Sequence, residues 1–240
     1  MSRTTRTLGR NLRHVAQHSS YSTQQTSGSH VRDQLRCLLR ETAQPVAVVT
    51  SFMPDSNKNA FHGATLSSFT SIAMDPYPLV TFALRIPSRM ATSLSTSKPD
   101  EHSHMVVNVL SADQAEVAVK FSRPDLHREP FTNIPFSLTD EGLPVIGGSL
   151  GALSCKLVSK AIPLHDLDFL ENGAWKGRGS LSPPALDEGV ASELFIARVM
   201  RVEMLSVQEA DQESPRTLPL LYHRRGFTRC VGIQPLKERN

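Results

Sequence analysis

His62-Gly63-Ala64-Thr65-Leu66-Ser67-Ser68-Phe69-Thr70-Ser71-Ile72-Ala73-Met74-Asp75-Pro76-Tyr77-Pro78-Leu79-Val80 is the stretch on which the reading of this chain turns. Gly63 opens it with a permissive backbone position. Five hydroxyl side chains follow within seven residues: Thr65, Ser67, Ser68, Thr70 and Ser71. Asp75-Pro76-Tyr77-Pro78 then turns the chain sharply into the apolar run that begins at Leu79. Hydroxyls and exposed N–H groups at this density can ring a phosphate or the polar edge of a heterocycle. By composition alone such a stretch is usually a solvated turn.

The flanking sequence is mostly strand-like. Before it, Pro45-Val46-Ala47-Val48-Val49-Thr50 is short, apolar and β-branched, which predicts a strand. The polar cluster at 54–59 predicts a turn, and a second strand should return antiparallel from Phe61. After it, 79–84, 105–110, 150–162 and 193–207 read as further strands. Helices are expected at 31–42, where Leu35, Leu38 and Leu39 recur at helical spacing. Others are expected in the Ser- and Thr-rich 88–97 and at 112–121, with Ser111 as the N-cap. Several strands with few helices predict a mainly β fold, a barrel carrying small helices.

Composition narrows the function classes. The chain has 240 residues, 39% hydrophobic and 20% charged, with a net charge of +3. Much of that charge lies in the first thirty residues, so no nucleic-acid surface is inferred. No run approaches the roughly 18 to 20 apolar residues that span a membrane. The three cysteines, Cys37, Cys155 and Cys230, fit no metal spacing and read as packing or incidental residues. No metal site is expected. Residues 1–30 stand apart: Arg3, Arg6, Arg10 and Arg13 are spread among Ser and Thr, and the first acidic residue is Asp33. As a helix this segment sets Leu8, Leu12 and Val15 on one face, the signature of a mitochondrial targeting peptide. The body, 31–235, is expected to form one domain. The Gly-, Ser- and Pro-rich stretch near 171–190, with the lone Trp175, reads as an inserted surface loop.

Four ordered blocks resemble the flavin reductase-like family, whose members share an FMN-binding split barrel of Greek-key type. The first is Gly63, Thr65, Ser67-Ser68-Phe69, Ser71 and Asp75-Pro76. The second is Val106-Val107-Asn108-Val109-Leu110-Ser111 with Gln114 and Phe121-Ser122. The third runs from Leu143-Pro144-Val145-Ile146 to Leu153-Ser154-Cys155-Lys156. The fourth is Leu220-Leu221-Tyr222-His223-Arg224-Arg225-Gly226-Phe227. The resemblance implies an NAD(P)H-dependent flavin reductase that binds FMN, with FAD as the alternative, takes hydride from NADH or NADPH, and pairs as a homodimer. It places Thr65, Leu66, Ser67 and Ser68 along the flavin, Ser88, Arg89 and Thr92 at its phosphate, and Tyr222 and His223 near the active face. No catalytic side chain is assigned, because a flavin carries the hydride chemistry.

One departure stands out. Many such reductases carry Gly-Asp-His just before a Leu-Phe-Ile strand. Here Val190-Ala191-Ser192-Glu193 precedes Leu194-Phe195-Ile196, and the histidine is absent. This absence motivates an alternative expectation, a catalytically silent flavin-binding or structural subunit of a mitochondrial assembly.

Overall fold

The computed structural model describes residues 28–53, 60–98, 101–173, 191–203 and 214–232. The expected targeting peptide, apart from its last three residues, lies outside the described residues. So do the turn at 54–59 and most of the expected insertion, Trp175 included. The chain divides into two compact units, Met1–Leu39 and Arg40–Asn240. The described part of the first belongs to helix α1, Gly28–Arg40, where Arg36 pairs with Asp33 at 3.3 Å, one turn away.

The second unit contains strands β1 Gln44–Pro45, β2 Ala47–Phe52, β3 Phe61–Leu66, β4 Thr70–Ala73, β5 Leu79–Ile86, β6 Met105–Val109, β7 Phe136–Leu138, β8 Pro144–Ile146, β9 Gly151–Leu157, β10 Ile162–Pro163, β11 Ala191–Glu203, β12 Leu220–His223 and β13 Gly226–Arg229. Its helices are α2 Arg89–Ser95, α3 Ala115–Ser122 and α4 Leu167–Asn172. An eight-stranded antiparallel sheet runs in the order β3-β2-β6-β9-β11-β5-β4, with β10 beside β11. The Ser68 hydroxyl accepts from the Ala83 N–H at 2.9 Å, which ties the turn after β3 to β5 and curls the sheet onto itself. The mainly β split barrel with small helices is therefore the architecture of this unit.

Strand β2 explains why so short a run is wholly apolar. Its alternate side chains face two different cores. Ala47 and Val49 enter the barrel interior with Leu66, Phe82, Met105 and Phe195. Val46, just before the strand, and Val48 pack outward with Leu110, Ala118, Phe121 and Ile146. Phe82 and Phe195 sit opposite each other on β5 and β11, with rings stacked at 5.6 Å.

The polar residues of the second block are structural. Asn108 is fully buried inside β6. It donates to the Val48 carbonyl at 3.1 Å and accepts from the Ile146 N–H at 2.8 Å, joining β2 to β8. The helix expected at 112–121 begins as a 3-10 turn, Ala112–Gln114, before α3. Gln114 closes the N-terminus by accepting from the Ser111 N–H at 3.0 Å. It also donates to the Gly147 carbonyl at 2.9 Å. Pro124 ends α3 soon after Ser122, because the residue before a proline avoids helical geometry. Near 171–190, residues 171 and 172 complete α4, which Gly173 closes in the left-handed region at φ 62°. Glycine enters that region without steric cost.

Candidate functional site

The hydroxyl-rich stretch forms two strands and a turn. Thr65 lies in β3, Ser67 and Ser68 in the turn, and Thr70 and Ser71 in β4. The first three border a cleft of about 850 Å³ at the mouth of the barrel, within the roughly 300–1,000 Å³ of small-molecule sites. Its apolar surface comes from Leu66, Leu84, Met90, Phe121 and Phe227.

Two of the hydroxyls also hold the frame. Thr65 donates to the Ala118 carbonyl at 2.7 Å, fixing β3 against α3. Ser68 bonds both backbone groups of Ala83. Ser67 is exposed at the cleft, with no hydrogen-bond partner among the described residues. Gly63 is required by close packing: a Cβ there would lie 2.6 Å from the Phe121 ring.

Of the nine residues expected at the ligand, Thr65, Leu66, Ser67, Ser68, Ser88, Arg89 and Tyr222 line this cleft. Thr92 and His223 do not line it. Thr92 faces a smaller neighbouring groove beside Glu193, and its hydroxyl donates to the Ser88 carbonyl at 3.1 Å. Ser88 caps α2 by accepting from the Ala91 N–H at 3.2 Å. Tyr222 rests edge-on against Phe227 at 5.6 Å. His223 is half-buried on β12, opposite Gly226. Where the family's Gly-Asp-His would stand, the chain instead opens β11, with Ala191 pairing Ile86 and Glu193 pairing Leu84.

The cleft's charge was not evident from sequence. Arg85, Arg89, Lys120 and Arg128 all line it, against a single carboxylate, Asp125. That carboxylate is occupied: Arg123 grips it with two bonds of 3.1 and 3.0 Å and holds it below the ordinary range. The lining therefore favours anions. His62, on β3, is a further lining residue that sequence reasoning missed. It is buried, and burial first, then the nearby charge of Arg89, pulls its pKa down to about 4. The imidazole is neutral near pH 7, and its buried Nε2 has no partner among the described residues. Its neighbours in sequence give no signal of that burial.

Such an arrangement suits a planar, largely apolar ring with an anionic tail. The ring would have apolar side chains beneath it and backbone groups at its edge, and the tail would meet cations. The described residues hold no cluster of three or more His, Cys, Asp or Glu able to bind a metal.

Comparison with known proteins agrees with this geometry. The model of the Flavin reductase like domain family matches residues 39–230. FMN reductase (NADH) SmoA of Agrobacterium fabrum is 33% identical over 111 residues, 46% of this chain and 56% of that protein. A flavin reductase of Pseudomonas putida is 33% identical over 124 residues, 52% of this chain and 66% of that protein. The chain thus spans little more than half to just under two thirds of these relatives. In fold it is similar to nitrilotriacetate monooxygenase component B of Mycobacterium thermoresistibile. That likeness has a TM-score of 0.61 at 22% identity, covering 89% of this chain and 96% of that one.

Proposed function

The chain belongs to the flavin reductase-like family, and from that premise we propose that it is an NAD(P)H-dependent flavin reductase working in the cationic cleft at the barrel mouth. The observation that carries the proposal is the convergence there of seven of the nine expected ligand contacts, Arg89 among them, with Arg85 as a second cation on the same side of the cleft. FMN is the flavin we propose, as in the name of the Agrobacterium relative, with NADH as the donor. A flavin bound here would accept hydride from the nicotinamide and pass the electrons onward.

The protein's own part is to bind, orient and exclude water. The turn 67–69, held to β5 through Ser68, offers backbone groups and the Ser67 hydroxyl to the ring edge. Leu66, Leu84 and Phe121 would cover its apolar area. Arg89, beside Ser88, would hold the phosphate with a forked donor set suited to it. Buried His62 is neutral near pH 7. The relatives support an enzyme, and no site observation favours the silent-subunit alternative.

Two further parts of the proposal rest on other ground. The arginine- and serine-rich composition of 1–30 supports mitochondrial targeting. A reporter fused to residues 1–35 should enter mitochondria, and diffuse fluorescence would oppose this. Family resemblance supports a homodimer, and light scattering should return twice the chain mass. The functional test is anaerobic stopped-flow mixing of flavin-loaded protein with NADH or NADPH. Bleaching of the flavin band is expected, and no bleaching with either donor would refute the assignment.

A further inference from the structure

The basic side chains of the cleft come from two different parts of the chain. Arg85 is the penultimate residue of β5 and Arg89 begins α2, and Arg89 is the residue proposed above for the flavin phosphate. Lys120, His127 and Arg128 come instead from α3 and the loop 123–135 that follows it. This loop is firmly built. Leu126 and His127 both bond back to the Arg123 carbonyl at 3.0 Å. Thr132 bonds to the Glu129 carbonyl and Ile134 to the Phe131 carbonyl, each at 3.1 Å. The Phe131 ring packs edge-on against Phe121 at 5.0 Å, Phe136 at 5.3 Å and Phe61 at 5.9 Å, and Ile134 is buried. The one carboxylate on this wall, Asp125, is neutralised by Arg123. Arg128 has no ion-pair partner among the described residues, while Lys120 reaches only the Thr132 carbonyl at 3.4 Å. A braced loop thus helps hold Lys120 and Arg128 at the cleft, neither in an ion pair among the described residues.

We infer that Lys120, His127 and Arg128 form a second phosphate seat, which takes the pyrophosphate of a dinucleotide while the Arg85–Arg89 wall takes the flavin phosphate. The inference rests on the functional reading above and extends it. A mononucleotide carries one phosphate and needs one cationic wall; this cleft has two, built by separate elements. Its volume lies toward the upper end of the range for small-molecule sites, and hydride transfer requires two nucleotides to meet within it. The shared ligand chemistry is a pyrophosphate, which FAD and NADH both carry and FMN lacks.

The test compares full-length wild type with the K120Q/R128Q double variant, both verified as folded by circular dichroism. FMN and FAD are titrated by flavin fluorescence and NADH by its own fluorescence, at low and moderate salt. Loss of two charge-assisted contacts should weaken the dinucleotide tenfold or more, with a shallower salt dependence, and leave FMN within about twofold. Weakening of FAD identifies the seat with the flavin's second phosphate. Weakening of NADH identifies it with the donor. Unchanged affinity for both dinucleotides, or an equal loss for FMN, would overturn the second seat while leaving the reductase reading intact. Failure of wild type to bind any of the three would overturn the reductase reading, and the second seat with it.

Discussion

Gly63→Ala should disrupt the site more than its single methyl suggests. The added Cβ would lie 2.6 and 2.7 Å from Cδ1 and Cε1 of Phe121, and 3.1 Å from the Val49 carbonyl oxygen. Carbon atoms settle at about 3.5–4.0 Å, so the overlap is roughly 1 Å. The ring cannot swing aside freely: Phe121 is only 3% exposed and stands edge-on to Phe131 at 5.0 Å. Overpacking of this kind costs about 1–3 kcal/mol. At roughly 2–4 °C per kcal/mol for a chain of this size, Tm should fall by about 2–12 °C. Gly63 and Phe121 both line the cleft, so flavin binding should weaken as well. The discriminating assay is a double-mutant cycle with Phe121→Leu, read by thermal and denaturant unfolding. The smaller leucine side chain vacates volume that the added methyl can occupy, so G63A/F121L should be less destabilised than the sum of the single variants by about 1 kcal/mol or more. Wild-type stability for G63A, or strict additivity in the cycle, would refute the packing argument.

Other outcomes follow from the same geometry. Ser67→Val should leave stability within about 0.5 kcal/mol and weaken FMN about tenfold in a fluorescence titration, whereas Ser68→Val should also lose about 1 kcal/mol because Ala83 loses both its bonds. For His62, the unfolded chain protonates near 6.5 and the folded chain only near 4. Stability should therefore fall as pH drops from about 6.5 to about 4, by about 3 kcal/mol in all, and level off below. Urea midpoints across that window should show the slope in wild type and a flatter one in His62→Gln; identical slopes would contradict the assignment. Burial pushes the Cys155 thiol up to about 12, so iodoacetamide at mildly alkaline pH should label exposed Cys230 in the folded protein and reach Cys155 only after unfolding, as read by peptide mass spectrometry.

The elements legible in the sequence were those whose local pattern and tertiary role coincide. Strands β2 and β6 are apolar because both their faces are buried, and α3 has its start marked by Ser111 and Gln114. The hydroxyls from Thr65 to Ser71 were recognisable as a group, but their division of labour was not. Whether Thr65 and Ser68 face a ligand or bond to Ala118 and Ala83 depends on partners at least 15 residues away in the chain. The resemblance places Thr92 with Ser88 and Arg89 at the phosphate; in α2 its side chain lines the neighbouring groove with Glu193. The basic wall at Lys120, His127 and Arg128 is not legible in the sequence for a related reason. It exists because Phe131 folds its loop back onto Phe61 and Phe121, a contact set by the barrel and not by any local period. The burial of His62 likewise comes from packing around β3, which its neighbours in sequence do not reveal.

Whether a flavin binds in this cleft is decided by a crystal structure of the protein grown with FMN. Flavin density is expected against residues 63–68, with the phosphate at Arg89. Density seated elsewhere on the barrel, or a cleft left empty by saturating FMN, would contradict that placement.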